Sequence, residues 1–465
     1  MDSFGASDNG NNAVRIESDS LGDVKVPQDA LYGAQTQRAV DNFTLGGGPL
    51  PASLIDAIVQ VKHAAARANI ECEALDFARA GAIQTACKTL LEGKHRAQFP
   101  VDIYQTGSGT SSNMNVNEVI SHLCAQANIE AHPNDHVNCS QSSNDVFPSS
   151  IRIACATQIT QQLLPALEHL QNIITQRAQE LDHVVKTGRT HLMDAMPVTF
   201  GQVLSGWSTQ VKADSRRLEF ALNEISALPQ GGTAVGTGIN TPEGFSQSFT
   251  RCLSEDTGIA FTPCESPFSK IGAQDDLAAL SGALKTLAVT VLKISNDLRW
   301  MNSGPLAGIG EISLPALQPG SSIMPGKVNP VIPEATAMAA TQVMGLDAAT
   351  TSACGAGNFE LNVMLPLIGN NLLQSIQLMA NSATSLADQA IAGFSVNYDK
   401  IQRPLAKNPI LVTALNATIG YSKAAEIAKK AYREQRDILD VAEEETELSR
   451  ENLSELLDPQ RLTHP

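Results

Sequence analysis

Aromatic and basic residues are both scarce in this sequence. Phe, Trp and Tyr make up 4% of the 465 residues, while apolar residues make up 43%. A core of small aliphatic side chains suits helices packed at close range. Lys and Arg number 32 against 48 Asp and Glu, a formal net charge of −16. This balance disfavours a nucleic-acid or anionic-lipid partner, because phosphate binding needs clustered cations. A small anionic substrate is compatible with it, because a pocket can be locally positive on an acidic protein.

Cysteine motifs, leader peptides and membrane spans are also missing. The eight cysteines are scattered from Cys72 to Cys354 without a Cys-x-x-Cys pair, which predicts no zinc site, no disulfide framework and a reducing compartment. Residues 1–20 are acidic and lack an apolar core, so we expect neither a secretory leader nor an Arg-rich transit peptide. No apolar run approaches the roughly 18 residues of a membrane span. We therefore predict a cytoplasmic protein without a membrane partner.

What the sequence does contain is helical periodicity over long distances. Apolar residues recur every three or four positions between 275 and 300, a seam typical of long helices packed near-parallel. The residues of this seam are Leu277, Leu280, Leu284, Leu287, Val291, Ile294 and Leu298. Similar patterns predict helices over 163–181, 199–226 and 358–392.

These patterns predict a mainly α fold with three domains. Residues 1–139 form a mostly helical N-terminal domain, 140–398 a central bundle of long helices, and 399–465 a small C-terminal helical domain. The acidic run at 443–447 in the last domain is interpreted as a solvated face.

The segment 320–330, GSSIMPGKVNP, combines flexible backbone, two hydroxyl groups and one lysine. It is not a nucleotide-binding loop, because Gly320 and Gly326 enclose five residues rather than four. In addition, Val328 stands where that motif needs a hydroxyl group to hold magnesium. Taken alone, the segment is equally well interpreted as a connection between helices with polar filler.

Three further polar clusters favour an anion-binding interpretation. They are 107–110 with 112–113, then 142–144, then 190–191. Each is expected at or near a helix boundary, where free N–H groups and the helix dipole favour anions. Together with Lys327 they supply many neutral donors and one cation, a suitable set for a small dicarboxylate.

His191 and Glu334 are the candidates for proton transfer. His191 lies in a predicted polar turn, which suits proton transfer better than burial would, although a lone histidine is more often structural. Glu334 follows Pro333 near a predicted helix start. It either favours the helix dipole or contacts His191 and stabilises its protonated ring.

Four of these regions together resemble the signature segments of the fumarase/aspartase superfamily. They read QTGSGTSSNMNVNEV (105–119), HPNDHVNCSQSSNDVFP (132–148), GRTHLMDAMPVTFGQ (188–202) and GSSIMPGKVNP (320–330). They occur in the family's order, and the resemblance runs from about residue 15 to the C-terminus. Aspartate ammonia-lyases usually carry Gln in place of His191 and Thr within the motif at 142–145. The chain is therefore most similar to class II fumarate hydratases, the metal-free type.

The resemblance implies reversible hydration of fumarate to (S)-malate through an aci-carboxylate intermediate, without cofactor or metal. It also implies a homotetramer with a shared helical core, in which each active site combines segments of different subunits. The alternatives are an aspartate ammonia-lyase and a catalytically silent structural homologue.

The resemblance also implies roles for single residues. Ser321 is the base that removes the C3 proton, and His191, partnered by Glu334, is the acid. The substrate-binding residues are Ser108, Gly109, Thr110, Ser142, Ser143, Asn144, Thr190, Ser322, Lys327, Val328 and Asn329. A secondary anion site would comprise His132, Pro133, Asn134 and Asp135. Here the chain departs from the family, because the preceding segment is short and Ile129 replaces a basic residue. Residues 132–135 are thus equally well a helix-entry turn.

Overall fold

The computed structural model describes residues 13–464. Residues 1–12, the first part of the segment expected to lack a leader, lie outside the described residues. The chain divides into two compact units. Unit 1 comprises Met1–Leu163, Arg217–Lys285 and Gln342–Gln377, and unit 2 comprises Leu164–Arg216, Thr286–Thr341 and Leu378–Pro465.

Helices dominate the described residues, as predicted. The first are α1 (Ala34–Asn42), α2 (Ala52–Glu71), α3 (Phe77–Leu91), α4 (Thr110–Gln126), α5 (Ser143–Gln158) and α6 (Leu164–Glu180). There follow α7 (Phe200–Ile225), α8 (Phe245–Thr257), α9 (Phe268–Ile271), α10 (Asp275–Met301), α11 (Val331–Cys354) and α12 (Leu365–Leu386). The last are α13 (Tyr398–Ala406), α14 (Asn416–Ile419), α15 (Tyr421–Glu434), α16 (Ile438–Glu445) and α17 (Arg450–Leu456).

The strands of the described residues form only two-stranded sheets. They are β1 (Val14–Asp19), β2 (Gly22–Pro27), β3 (Val185–Thr190), β4 (Met193–Thr199), β5 (Ala227–Leu228), β6 (Thr262–Pro263), β7 (Ile312–Ser313) and β8 (Ser395–Val396). The pairs β1–β2, β3–β4 and β7–β8 are antiparallel, and β5–β6 is parallel. The predicted mainly α fold class with long central helices is confirmed, and the three domain boundaries stay a prediction.

The heptad seam predicted near 275–300 corresponds to α10, which has 27 residues. Each of its seven seam residues is at most 1% exposed, so the apolar face is buried within the protein. By length and composition alone this helix could cross a membrane. This does not contradict the expectation that no uninterrupted apolar run approaches a membrane span, because Lys285 and Lys293 interrupt the helix. The buried seam is what a core helix requires, and core helices pass the same test.

Helix α2 is the centre of unit 1, where it packs against α3, α5 and α8. Thirteen of its twenty residues are buried, and many of these are alanines that allow neighbouring helices to approach closely. One of the buried positions is Lys62, which is 0% exposed. A buried ammonium needs polar partners in the core, and these partners lie beside the candidate site.

In unit 2, the β3–β4 hairpin and the start of α7 pack against the C-terminal region. Asn408 donates from Nδ2 to the carbonyl of Ala195 at 2.9 Å, and Gln202 donates from Nε2 to the carbonyl of Thr463 at 2.7 Å. Residues from Leu411 to Leu457 form a hydrophobic cluster of their own. The hairpin is thus attached to a packed helical support rather than to a free loop.

Candidate active site

The loop 320–330 is a closed turn in unit 2 that leads into α11. The Gly320 N–H donates to the Lys327 carbonyl at 2.7 Å, and Asn329 donates from Nδ2 to the Gly320 carbonyl at 2.8 Å. A Cβ at residue 320 would lie 2.5 Å from the Lys327 carbonyl oxygen, so only glycine allows this approach. The two ends of the loop are therefore held together by contacts that depend on Gly320 and Asn329.

Within this loop, the Ser321 hydroxyl receives two backbone hydrogen bonds. Its Oγ accepts from the N–H groups of Ile323 at 3.3 Å and Met324 at 3.1 Å. Donors aimed at an oxygen favour its anionic form, because the charge is stabilised without reorganisation. The loop therefore holds two N–H donors where they would stabilise a negative charge on the Ser321 oxygen.

A cavity of about 750 Å³ borders the loop within unit 2. Its lining includes the loop residues Lys327, Val328 and Asn329, together with Arg299 and Glu334. Lys327 is exposed, and within residues 13–464 it forms no ion pair. Two cations and one carboxylate give the lining a net positive formal charge, which favours an anion. Sequence reasoning missed Arg299, because a single arginine at the end of an apolar helix carries no motif.

Glu334 lies in the first turn of α11, as the sequence predicts. Its N–H donates to the Pro330 carbonyl at 3.1 Å, and its side chain is half-buried beside the cavity. A carboxylate at this position is favoured by the helix dipole. The structure shows no ion pair between Glu334 and His191 within residues 13–464, so this partnership stays a prediction.

Thr190 and His191 lie at the tip of the β3–β4 hairpin. The helix boundary predicted here is wrong, because two strands flank the turn, but the predicted polar turn is present. His191 and Leu192 both have positive φ, 56° and 62°, as a two-residue hairpin turn requires. The reason is the pairing of 185–190 with 193–199, which the weakly alternating sequence did not reveal. The turn leaves Thr190 and His191 exposed to solvent.

An ion-pair cluster fixes the strand that carries Thr190. Glu311, 2% exposed, receives Lys186 Nζ at 3.0 Å and Arg189 Nη1 at 2.7 Å. Burial lowers the pKa of Lys186, and the Glu311 carboxylate opposes that shift. These residues hold β3 against the β7 region, and none of them belongs to the predicted site.

In unit 1, the predicted binding residues 108–110 occupy the start of α4. Gly109 is the N-cap, and Thr110 is the first helical residue. The hydroxyls of Ser108 and Thr110 lie 2.8 Å apart. The cluster therefore lies at a helix N-terminus, where free N–H groups attract anions.

The cluster 142–144 begins α5 in the same unit. Ser142 is the N-cap, and with Asp145 it forms a capping box. Asn144 donates from Nδ2 to the Ala234 carbonyl at 2.8 Å. The Asp145 carboxylate accepts from the N–H groups of Gly231 and Thr233, both at 2.9 Å. The glycine-rich segment 231–238 thus braces this turn.

Residues 132–135 form the entry to a short π-helical turn, Pro133–Val137. The His132 ring accepts from the Asp135 N–H at 3.2 Å and lies 3.2 Å from its carboxylate. A neighbouring cavity of about 430 Å³ is lined by His132 together with Glu17, Asp19 and Glu118. Three carboxylates make this lining poorly suited to an anion. The helix-entry interpretation accounts for the contacts, and a secondary anion site stays a prediction without support from the charges.

The predicted residues therefore fall into two groups, one in each unit. Unit 1 contains Ser108, Gly109, Thr110, Ser142, Ser143 and Asn144, and unit 2 contains Thr190, His191, Ser321, Ser322, Lys327, Val328, Asn329 and Glu334. Across residues 13–464 there is no group of three His, Cys, Asp or Glu side chains that could hold a metal ion.

Comparison with known proteins shows likeness along nearly the whole chain. Residues 22–345 match a family model described as lyase, and residues 411–464 match one described as fumarase C C-terminus. Fumarate hydratase class II 2 of Pseudomonas aeruginosa is 58% identical over 97% of this chain and 98% of its own length. Fumarate hydratase class II of Xylella fastidiosa is 56% identical over 97% of this chain and 95% of its own length. The crystal structure of class II fumarase from Schistosoma mansoni matches with a TM-score of 0.95 at 36% identity, covering 97% of this chain and 100% of that one.

Proposed function

Because the chain belongs to the class II fumarate hydratase family, we propose that it catalyses the reversible hydration of fumarate to (S)-malate. The observation that carries the proposal is the loop 320–330. In this loop, one serine hydroxyl accepts two backbone N–H bonds, and an exposed lysine lies a few residues further on. A base and a carboxylate anchor on one loop are the minimum for removing a proton next to a carboxylate.

In the malate-to-fumarate direction, Ser321 Oγ removes the proton from C3. The electron pair moves into the adjacent carboxylate, which becomes the doubly charged aci-carboxylate. The C2 hydroxyl then departs with a proton from His191, giving fumarate and water. The Ile323 and Met324 N–H groups stabilise the Ser321 alkoxide that starts the reaction. The reverse direction uses the same groups, with His191 activating water.

The substrate carboxylates bind to neutral donors and to the Lys327 ammonium. The extra charge of the aci-carboxylate develops where these donors already point, so their contribution is larger in the transition state than in the ground state. Lys327 and Asn329 supply donors from the loop. The helix N-termini at 108–110 and 142–144 supply hydroxyl, amide and backbone donors. No metal is assigned a role in this scheme.

The protein acts as a homotetramer in which segments from different subunits combine in one active site. Support comes from the unit 2 cavity, which borders Lys327 and Glu334 but not His191, and from exposed apolar side chains on the long helices. Trp300 on α10 is 52% exposed and Met338 on α11 is 68% exposed. A cytoplasmic location fits the eight cysteines, all of which are free thiols.

One assay separates this activity from its alternatives. Purified protein treated with EDTA is expected to convert malate to fumarate, followed as rising ultraviolet absorbance, and to release no ammonia from aspartate. Ammonia release without malate turnover would identify an aspartate ammonia-lyase. A folded tetramer inert towards both compounds would indicate a silent homologue. Activity lost with EDTA and restored by a metal ion would contradict the metal-free scheme.

Replacing His191 by glutamine is expected to lower kcat for malate at least about 10²-fold, because the hydroxyl would leave without a proton donor. The exposed tip position predicts little loss of stability. His183→Gln is the matched control, since His183 is an exposed histidine just before β3. That variant should stay within about twofold of the parent enzyme. Equal rates for His191→Gln and the parent would remove His191 from the mechanism.

A further inference from the structure

A buried polar network in unit 1 leads from Lys62 to the turn 142–144. Lys62 Nζ donates to Asn138 Oδ1 at 2.9 Å and to Gln141 Oε1 at 3.0 Å. Asn113 donates from Nδ2 to the same Asn138 oxygen at 3.2 Å and to Ser143 Oγ at 2.9 Å. Lys62 and Asn113 are both 0% exposed, so neither contacts solvent. The network ends at a hydroxyl of the proposed carboxylate-binding turn.

The lysine and the backbone agree on the orientation of Asn138 in this network, since Asn138 also donates from Nδ2 to the Gln141 carbonyl at 3.1 Å. An ammonium can only donate, so the side-chain atom of Asn138 that faces Lys62 must be its oxygen. Asn113 must then present its NH₂ group towards that oxygen, because two amide oxygens would repel each other. Burial lowers the pKa of Lys62 to about 7, and the neutral amine still has two N–H bonds for the same two acceptors.

The orientation of Asn113 in turn determines what Ser143 can do. The same NH₂ group donates to Ser143 Oγ, so the hydroxyl is an acceptor on its inner side. Its own hydrogen has no acceptor among the hydrogen bonds of residues 13–464 and is available to donate outwards. Asn113 lies three residues after Thr110 in α4, so its bond to Ser143 ties the first turn of α4 to the start of α5.

We propose that Asn113, oriented through Asn138 by Lys62, is a positioning residue that makes the Ser143 hydroxyl a hydrogen-bond donor to a substrate carboxylate. This inference rests on the proposed function, because it assigns Ser143 a carboxylate to bind. It adds the reason why a serine, which can donate or accept, serves here as a donor. Asn113 acts through Ser143 and does not touch the substrate itself.

A double-mutant cycle between Asn113 and Ser143 tests the inference with the whole protein. The readout is the Kd of succinate measured by calorimetry, together with KM and kcat for malate. Asn113→Ala and Ser143→Ala are each expected to weaken succinate binding about tenfold, the usual effect of one hydrogen bond to a charged group. In the Ser143→Ala background, Asn113→Ala should weaken it less than about twofold, because the residue through which it acts is gone.

Asn115→Ala is the matched control. Asn115 is 1% exposed on the same helix and donates from Nδ2 to the Gln98 carbonyl at 2.9 Å, away from the turn. It should leave Kd, KM and kcat within about twofold of the parent values. Asn113→Asp, which keeps the side-chain shape, covers the case that Asn113→Ala does not fold. An aspartate can only accept, so the Ser143 hydrogen would turn inwards and succinate binding should weaken at least as much.

Each outcome has a defined meaning. Three results would overturn the inference. They are losses of succinate affinity that multiply in the double variant, an equal loss of affinity in Asn115→Ala, and unchanged affinity in Asn113→Asp. Absence of succinate binding to the parent protein would also overturn it. A parent protein that binds succinate with the expected coupling but does not turn over malate would support the inference and contradict the hydration reaction, so the two failures are distinguishable.

Discussion

Ser321→Ala is expected to lower kcat for malate dehydration about 10³-fold while KM changes less than about threefold. The substitution removes the oxygen to which the Ile323 and Met324 N–H groups point. A base that acts only in the chemical step affects kcat, whereas a residue that only binds the substrate affects KM. Steady-state kinetics with malate separates these two roles.

Ser352→Ala is the matched control for this experiment. Ser352 is an exposed serine on α11 whose hydroxyl donates to the Ala348 carbonyl at 3.0 Å. Its replacement should leave kcat and KM unchanged. Melting temperatures of both variants should equal that of the parent, because Ser321 lies in a loop with little buried surface. A kcat for Ser321→Ala within about tenfold of the parent would show that another group is the base.

The long helices could be predicted from sequence because burial follows one period. Every seam residue of α10 is buried, and the predicted helix over 199–226 differs from α7 by one residue at each end. The helix predicted to start at 358 begins at Leu365 instead. There Gly357 approaches Gly272 so closely that a Cβ would lie 2.2 Å from its carbonyl oxygen. A contact between residues so distant in sequence leaves no periodic signal.

The candidate site was predictable in its residue types and only partly in its geometry. Helix N-termini at Thr110 and Ser143 followed from clusters of capping residues before apolar runs. The hairpin at His191 could not be predicted, because its strands are short and their apolar and polar residues alternate poorly. The buried position of Lys62 could not be predicted either, because its only signal is a charged residue on the mostly apolar buried face of α2. Tertiary contacts decide such positions, and local periodicity does not contain them.

The largest effect on stability is expected at Asp276, where a buried ion cluster joins the start of α10 to α5. Arg152, 0% exposed, donates from Nε and Nη2 to the Asp276 carboxylate at 2.9 and 2.6 Å. Lys270 Nζ donates to the same carboxylate at 2.7 Å. Burial alone would raise the pKa of Asp276, but the two cations outweigh it and hold that pKa below its ordinary value.

Asp276→Ala is expected to lower the free energy of unfolding by about 3–5 kcal/mol, because it leaves the Arg152 guanidinium buried without a counter-ion. Asp275→Ala is the matched control, since the neighbouring aspartate occupies the same first turn but is exposed. That change should cost only about 0.3–1 kcal/mol, the usual effect of a charge near a helix N-terminus. Chemical denaturation at constant protein concentration measures both values.

The double variant Arg152→Met/Asp276→Leu distinguishes an unpaired charge from a general packing defect. Removing both charges abolishes the desolvation cost, so the pair is expected to recover most of the stability lost in Asp276→Ala. A double variant as unstable as Asp276→Ala would show that the cluster contributes through its shape. Since α5 also begins with the turn 142–144, the double variant should bind succinate as the parent does. Weakened binding in this variant would mean that the cluster aligns the candidate site as well as stabilising the fold.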